Sequence, residues 1–213
     1  MFEKVLSENA KNSLALLGRC GLLKNAYLAG GTALALQIGH RVSLDFDFFT
    51  KKRFDETILL PKLASLPVDF RLERSAKETI LGYVNKTRFS LFFYFYPLLD
   101  KLQEFIGIRV AGIKDIAPMK IAAISDRGTK RDFIDLYFII AVEKLYSLEE
   151  ILGFYEEKFA LLHQNKFHLL KSLTYFEDAE KDRLPKMIKK VEWPKVRKFF
   201  EAEVKKLSRN RFL

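Results

Sequence analysis

Tyr27-Leu28-Ala29-Gly30-Gly31-Thr32-Ala33-Leu34-Ala35-Leu36, followed shortly by Leu44-Asp45-Phe46-Asp47-Phe48-Phe49, decides how this chain is read. Tyr27 to Ala29 is a short apolar run of strand character. Gly30-Gly31-Thr32 is a turn, and Thr32 to Ile38 reads as a helix capped by Thr32 or Gly31 and ended by Gly39. The start of a helix presents backbone N–H groups and partial positive charge, so it attracts anions, and glycine there lets a phosphate approach the backbone. Leu44 to Phe49 alternates apolar and acidic residues, the pattern of a strand. Residues i and i+2 of a strand share a face, so Asp45 and Asp47 emerge together while Leu44, Phe46 and Phe48 turn to the core. Two adjacent carboxylates repel unless a cation lies between them. Mg²⁺ suits such a pair, because it takes oxygen ligands and is commonly held by one or two carboxylates plus substrate phosphates. The helix is short, so the second strand returns beside the first and brings the acids close to the glycine turn. No Gly-Lys-Ser/Thr ending makes this a P-loop, and there is no Gly-x-Gly-x-x-Gly. Taken alone, an acidic edge strand beside a plain tight turn explains the same residues.

Outward from this core, Glu3 to Leu17 has helical apolar spacing. Phe54 to Leu66 reads as a helix closed by Pro67, and Val68 to Leu72, Thr79 to Val84 and Arg88 to Tyr96 as three strands, the last nearly all aromatic and expected to be buried on both faces. After Pro97 the chain changes character. Pro118 suits the first turn of a helix to about Asp126, Gly128 interrupts it, and Arg131 to Val142 resumes as a second helix. Ser147 with Glu150 makes a capping box for a third, and the remainder reads as helical and increasingly basic. The expectation is an α+β protein, with a mixed β-sheet lobe flanked by helices over residues 1–100 and a helical lobe over residues 101–213.

The 213 residues are 49% hydrophobic, enough for a substantial core without staples. One cysteine, Cys20, excludes an internal disulfide, and three scattered histidines with one cysteine exclude a zinc site of ordinary spacing. No signal peptide and no membrane-spanning apolar run is visible, so a soluble cytoplasmic protein with no membrane partner is expected. The net charge is +10, and Lys181 to Leu213 carries 12 Lys/Arg against 4 Asp/Glu, a net of +8. Such a surplus favours polyanions: nucleic acid, nucleotide or an acidic protein. A solvated basic helix face is the plainer account.

The Tyr27–Leu36 block, with Arg41-Val42-Ser43-Leu44-Asp45-Phe46-Asp47-Phe48-Phe49, resembles the first motif of the AbiEii/AbiGii-type toxins, a branch of the DNA-polymerase-β-like nucleotidyltransferase superfamily. That pattern is an apolar strand, Gly-Gly or Gly-Ser, a gap and Asp-x-Asp; here the gap is slightly long. A second block, Pro118-Met119-Lys120 through Asp126-Arg127-Gly128-Thr129-Lys130-Arg131-Asp132-Phe133-Ile134-Asp135-Leu136-Tyr137, is similar to the family's later motif. The resemblance covers about residues 25 to 140. It implies that Asp45 and Asp47 hold Mg²⁺ or Mn²⁺, that Gly30, Gly31 and the Thr32 helix start cradle phosphate, and that Lys120, Arg127 and Arg131 bind the nucleotide. Lys120 and Arg127, seven residues apart, share a helix face; Lys acts on a triphosphate as a point charge and Arg as a fork. Asp132 and Asp135 also share a face, and Asp135 either orients Lys120 or serves as base to the attacking hydroxyl. Many superfamily members carry a third carboxylate on a later strand. Here that strand has Ser90 and no acid, leaving Asp135 or Asp69 as candidates.

The resemblance implies a metal-dependent transferase that moves a nucleotide from a nucleoside triphosphate to a hydroxyl of RNA, tRNA being one acceptor type, or of protein. It also implies a toxin of a toxin–antitoxin or phage-defence pair, with a cognate antitoxin. The competing reading is a non-catalytic relative that binds nucleic acid or antitoxin and keeps a vestigial site.

Overall fold

The computed structural model describes residues 1–162 and 165–211, the last two by backbone alone. Phe212 and Leu213, the end of the basic segment, lie outside the described residues. The chain forms two compact units, Met1–Gly112 and Ile113–Leu213.

The first unit opens with a 3-10 turn, Glu3–Val5, and then α1, Glu8–Arg19. The sequence suggested one helix from Glu3. Ser7 divides it, because its side chain accepts from the Ala10 N–H and caps α1 from an extended backbone conformation. Next come β1 (Ala26–Ala29), α2 (Gly30–Ile38), β2 (Asp45–Thr50), α3 (Glu56–Ala64), β3 (Phe70–Ala76), β4 (Thr79–Val84), β5 (Thr87–Phe93), β6 (Gln103–Phe105) and β7 (Ile108–Val110). They build one sheet in the order β3-β4-β5-β2-β1-β7-β6. β2 runs parallel to β5 and β1 parallel to β7; the other neighbours are antiparallel. The α1, α2 and α3 helices all pack against this sheet.

Alternation along β2 is as expected from Asp45 onward. Phe46 and Phe48 are fully buried, whereas Asp45, Asp47 and Phe49 are half-buried. Leu44 departs from the expectation: it lies before the strand and is 64% exposed. The aromatic segment is also shorter as a strand than it reads. β5 ends at Phe93, burial on both faces is confined to its centre at Phe89, Ser90 and Leu91, and Phe95 beyond it is 50% exposed. β3 starts later and runs further than Val68–Leu72. It is an outer strand and mostly exposed, so no apolar alternation marked it. The short β6 and β7 pair falls within the stretch from residue 101 that the sequence assigned to the helical lobe.

The second unit is helical. Its elements are α4 (Ile113–Asp126), α5 (Lys130–Tyr137) continuing into a wider π-turn (Phe138–Val142), α6 (Leu148–Lys158), a 3-10 turn (Ala160–Leu162), α7 (Lys166–Ser172), α8 (Glu177–Lys181) and α9 (Trp193–Arg211). α4 begins five residues before Pro118, not at it. Burial of Asp115, Ile116 and Ala117 extends the helix upstream of the residue that lacks an N–H. The capping box at Ser147 and Glu150 forms in full. Phe133 packs edge-on or tilted against Phe176, Trp193 and Phe200, joining α5 to α9 in a common core. No helix among the described residues is long and apolar enough to cross a membrane.

Candidate active site

β1 gives way to α2 with no intervening loop. Gly30, the first helical residue, has φ +65°, a left-handed conformation that costs a glycine little. Ala29 is the N-cap and no side chain caps this end, so neither Thr32 nor Gly31 plays the capping part that the sequence suggested. The register pairs Ala29 with Asp47, and a β-carbon on Gly30 would lie 3.0 Å from Asp47 Oδ2. One carboxylate therefore rests against the glycine backbone at the helix start. Asp45, two residues back on the same face, completes the pair.

Thr32 is only 1% exposed, and its side chain is used internally. Its hydroxyl lies 2.7 Å from Ser43 Oγ and also hydrogen-bonds the Asp45 carbonyl oxygen. Thr32 thus ties the first turn of α2 to the residue carrying the first acid, leaving its backbone N–H as the part it can offer a phosphate. Arg41 is likewise buried, and donates to the Val42 carbonyl at 3.2 Å and to Ser43 Oγ at 3.4 Å. These bonds brace the loop that delivers Asp45. Arg41 and Ser43 stand in the motif, but sequence reasoning gave them no role; only their burial reveals one.

Ser90 of β5 is the register partner of Asp47, so the neighbouring strand brings a hydroxyl there and no acid. Asp69 does not fill the gap. It is exposed, its backbone pairs with Asn85, and the strand that follows it stands three places from β2 in the sheet. Among the described residues no group of three or more His, Cys, Asp or Glu forms a metal cluster. The donor set nonetheless fits a hard cation of the Mg²⁺ class, which needs only one or two protein carboxylates when phosphates supply the rest.

In the second unit α4 and α5 bring the later motif together. Lys120 Nζ lies 2.9 Å from Asp132 Oδ1 and 2.6 Å from Asp135 Oδ2, and all three side chains are buried. Arg127 Nε reaches Asp132 Oδ2 at 3.3 Å, and the Thr129 hydroxyl donates to the same oxygen at 2.6 Å. Arg127 itself is 63% exposed and Arg131 is exposed. Asp135 is thus placed to orient Lys120. Asp132 holds Lys120 and Arg127 at once and is the residue whose importance the sequence understated. Its spacing, three before Asp135 and three after Thr129, was the available signal. Burial by itself pushes the Asp132 carboxyl up. The charges of Lys120 and Arg127, then the hydrogen bonds from Thr129 and Lys120, outweigh it and hold the group below the usual carboxylate range.

A lowered folded-state pKa stabilises the fold above the unfolded value of about 3.9, and that contribution is lost as pH falls through the folded value. Thermal unfolding of the wild type and Asp132→Asn at descending pH should show a gap at pH 7 that narrows in acid. A gap constant across the series would contradict this account of Asp132.

Residues 14–90 and 62–212 match the family model described as nucleotidyl transferase AbiEii toxin, type IV toxin–antitoxin system. The chain belongs to this family. An uncharacterized protein of Aquifex aeolicus (strain VF5) is 36% identical over 96% of this chain and 98% of its own length. Among solved structures, JHP933 from Helicobacter pylori is similar over 97% of each chain, with 21% identity and a TM-score of 0.55. The nucleotidyltransferase toxin MenT4 from Mycobacterium tuberculosis H37Rv is similar over 93% of this chain and 86% of its own, with 15% identity and a TM-score of 0.54. These two likenesses concern the fold. This AbiEii-family protein is a nucleotidyltransferase, and the α+β class expected from its sequence is the one found.

Proposed function

We propose that this AbiEii-family protein transfers a nucleotide from a nucleoside triphosphate to a hydroxyl of RNA, tRNA foremost, in the cytoplasm, and that a cognate antitoxin restrains it. The observation that carries this reading is the Asp47 carboxylate against Gly30 at the uncapped start of α2, with Asp45 on the same strand face. Asp45 and Asp47 would hold Mg²⁺ or Mn²⁺. When bound, the metal neutralises charge on the phosphates and lowers the pKa of a bound hydroxyl. The backbone N–H groups of Gly30, Gly31 and Thr32 receive phosphate oxygens, and Lys120, Arg127 and Arg131 bind the triphosphate. Asp135 and Asp132 fix the orientation of the Lys120 ammonium. The net charge of +10, concentrated after Lys181, supports a polyanionic acceptor.

Incubation with total RNA and each of the four α-labelled nucleoside triphosphates, with Mg²⁺ or Mn²⁺, tests the reading. Label should enter RNA with at least one nucleotide. Label in protein alone would overturn the RNA acceptor. Label in neither, together with tight salt-dependent RNA binding, would replace transfer by binding as the activity on RNA.

A further inference from the structure

The face of β2 that carries the acids does not end with them. Phe49 follows Asp45 and Asp47 at the same alternation and is half-buried like them. Its register partners are Tyr27 on β1 and Phe92 on β5, which extend the same face to either side. Tyr27 is buried and stacks with Phe49 at 6.1 Å, forming the inner end. Phe92 lies 5.7 Å from Phe49, and Tyr94, just past the end of β5, meets Phe49 edge-on at 5.0 Å. From Tyr94 the rings continue to Tyr96 at 4.9 Å and then to Phe95, which stacks on Tyr96 at 4.3 Å. Exposure rises along this line, from Tyr27 at 2% exposed through half-buried Phe49, Phe92, Tyr94 and Tyr96 to Phe95 at 50% exposed. A run made only to fill a core would be expected to close at its outer end, whereas this one opens to solvent.

We infer that Phe49, Phe92, Tyr94 and Tyr96 form a stacking surface for the base of the incoming nucleoside triphosphate. The inference rests on the reading of Asp45, Asp47 and Gly30 as the triphosphate site. Phe49 stands two residues from Asp47, a rise of about 7 Å along the strand, so a nucleotide whose phosphates lie at the acids has its base one sugar away, over the rings. Aromatic rings bind nucleobases through their faces and tolerate every base, since each has a π-face. The surface therefore supplies affinity for a nucleoside without itself selecting one.

The test compares three ligands with Mg²⁺ present: inorganic tripolyphosphate, the four nucleoside triphosphates, and 2-aminopurine riboside triphosphate, whose fluorescence drops on stacking. The wild type should bind the nucleotides more tightly than tripolyphosphate and quench the 2-aminopurine analogue. Tyr94→Ala should weaken all four nucleotides by about tenfold, abolish the quenching and leave tripolyphosphate affinity unchanged. Tyr94→Phe keeps the ring and should behave as wild type, which controls for folding. Equal wild-type affinity for tripolyphosphate and nucleotides would overturn the stacking surface while leaving the phosphate site standing. A parallel loss of tripolyphosphate binding in Tyr94→Ala would overturn it as well, by assigning Tyr94 a packing role. Weakened RNA binding with nucleotide affinity intact would give the rings to the acceptor and overturn it too. If the wild type binds neither tripolyphosphate nor nucleotide, the triphosphate reading itself fails and the stacking surface falls with it.

Discussion

Asp45→Asn and Asp47→Asn should each lower nucleotide transfer by at least about a thousandfold while leaving the fold intact. Both side chains are half-buried on the outward face of β2, and the strand is held by its backbone ladder to β1 and β5 and by the buried Phe46 and Phe48. Asparagine keeps size and polarity, so neither the ladder nor the core changes. The lost quantity is the negative charge that would hold a divalent cation beside phosphate. Phe46→Ala is the contrasting variant. Its ring is fully buried, so truncation should cost about 3–5 kcal/mol of stability through transfer and cavity terms, with activity falling only as far as folded protein is lost. Circular dichroism melts and transfer assays on the same preparations separate the two. Wild-type transfer by both Asp variants would remove these carboxylates from the chemistry.

What was legible in the sequence was whatever a short-range pattern encodes. The strict alternation of Asp45 to Phe49 fixed the face of each side chain, and the Gly30-Gly31 pair marked where the apolar strand gives way to the helix, although the helix starts at Gly30 with no separate turn before Thr32. The capping box at Ser147 and Glu150 needed only four residues to declare itself. The missing information was long-range. β3 has no apolar alternation because it is an exposed outer strand, so the sequence placed it early and cut it short. The β6 and β7 pair is too short to show a period, and β7 exists because β1 offers it a parallel partner at Leu28 and Val110. In the candidate site, Thr32, Arg41 and Ser43 look like loop residues until their burial and mutual hydrogen bonds are seen. Asp132 reads as a surface helix acid until α4 and α5 are packed and it receives both Lys120 and Arg127. Motif spacing names the residues of a site, but the bonds that hold them come from elements far apart in the chain.

Lys158→Met should destabilise the protein by about 3–5 kcal/mol. Lys158 Nζ on α6 lies 2.7 Å from Asp115 Oδ1 on α4, and both side chains are wholly excluded from solvent. Neither residue stands out in the sequence: Lys158 is the last residue of α6, where a cation ordinarily faces water. Taking two charges from water is costly, and their attraction offsets the cost only while both are present. Removing the lysine leaves the Asp115 carboxylate buried without this countercharge, which explains a penalty larger than that of any exposed pair. Asp115→Leu combined with Lys158→Met removes both desolvation costs and should recover most of the loss, because apolar residues of similar volume can replace a buried pair at little expense. Urea unfolding of the two single variants and the double variant gives the coupling directly. A single-variant cost below about 1 kcal/mol, the range of exposed ion pairs, would contradict a desolvated pair. A double variant as unstable as the sum of the singles would mean that each residue acts through separate contacts. Recovery in the double variant would instead show that the two charges act as one mutually compensating pair between α6 and α4, the helix that carries Lys120.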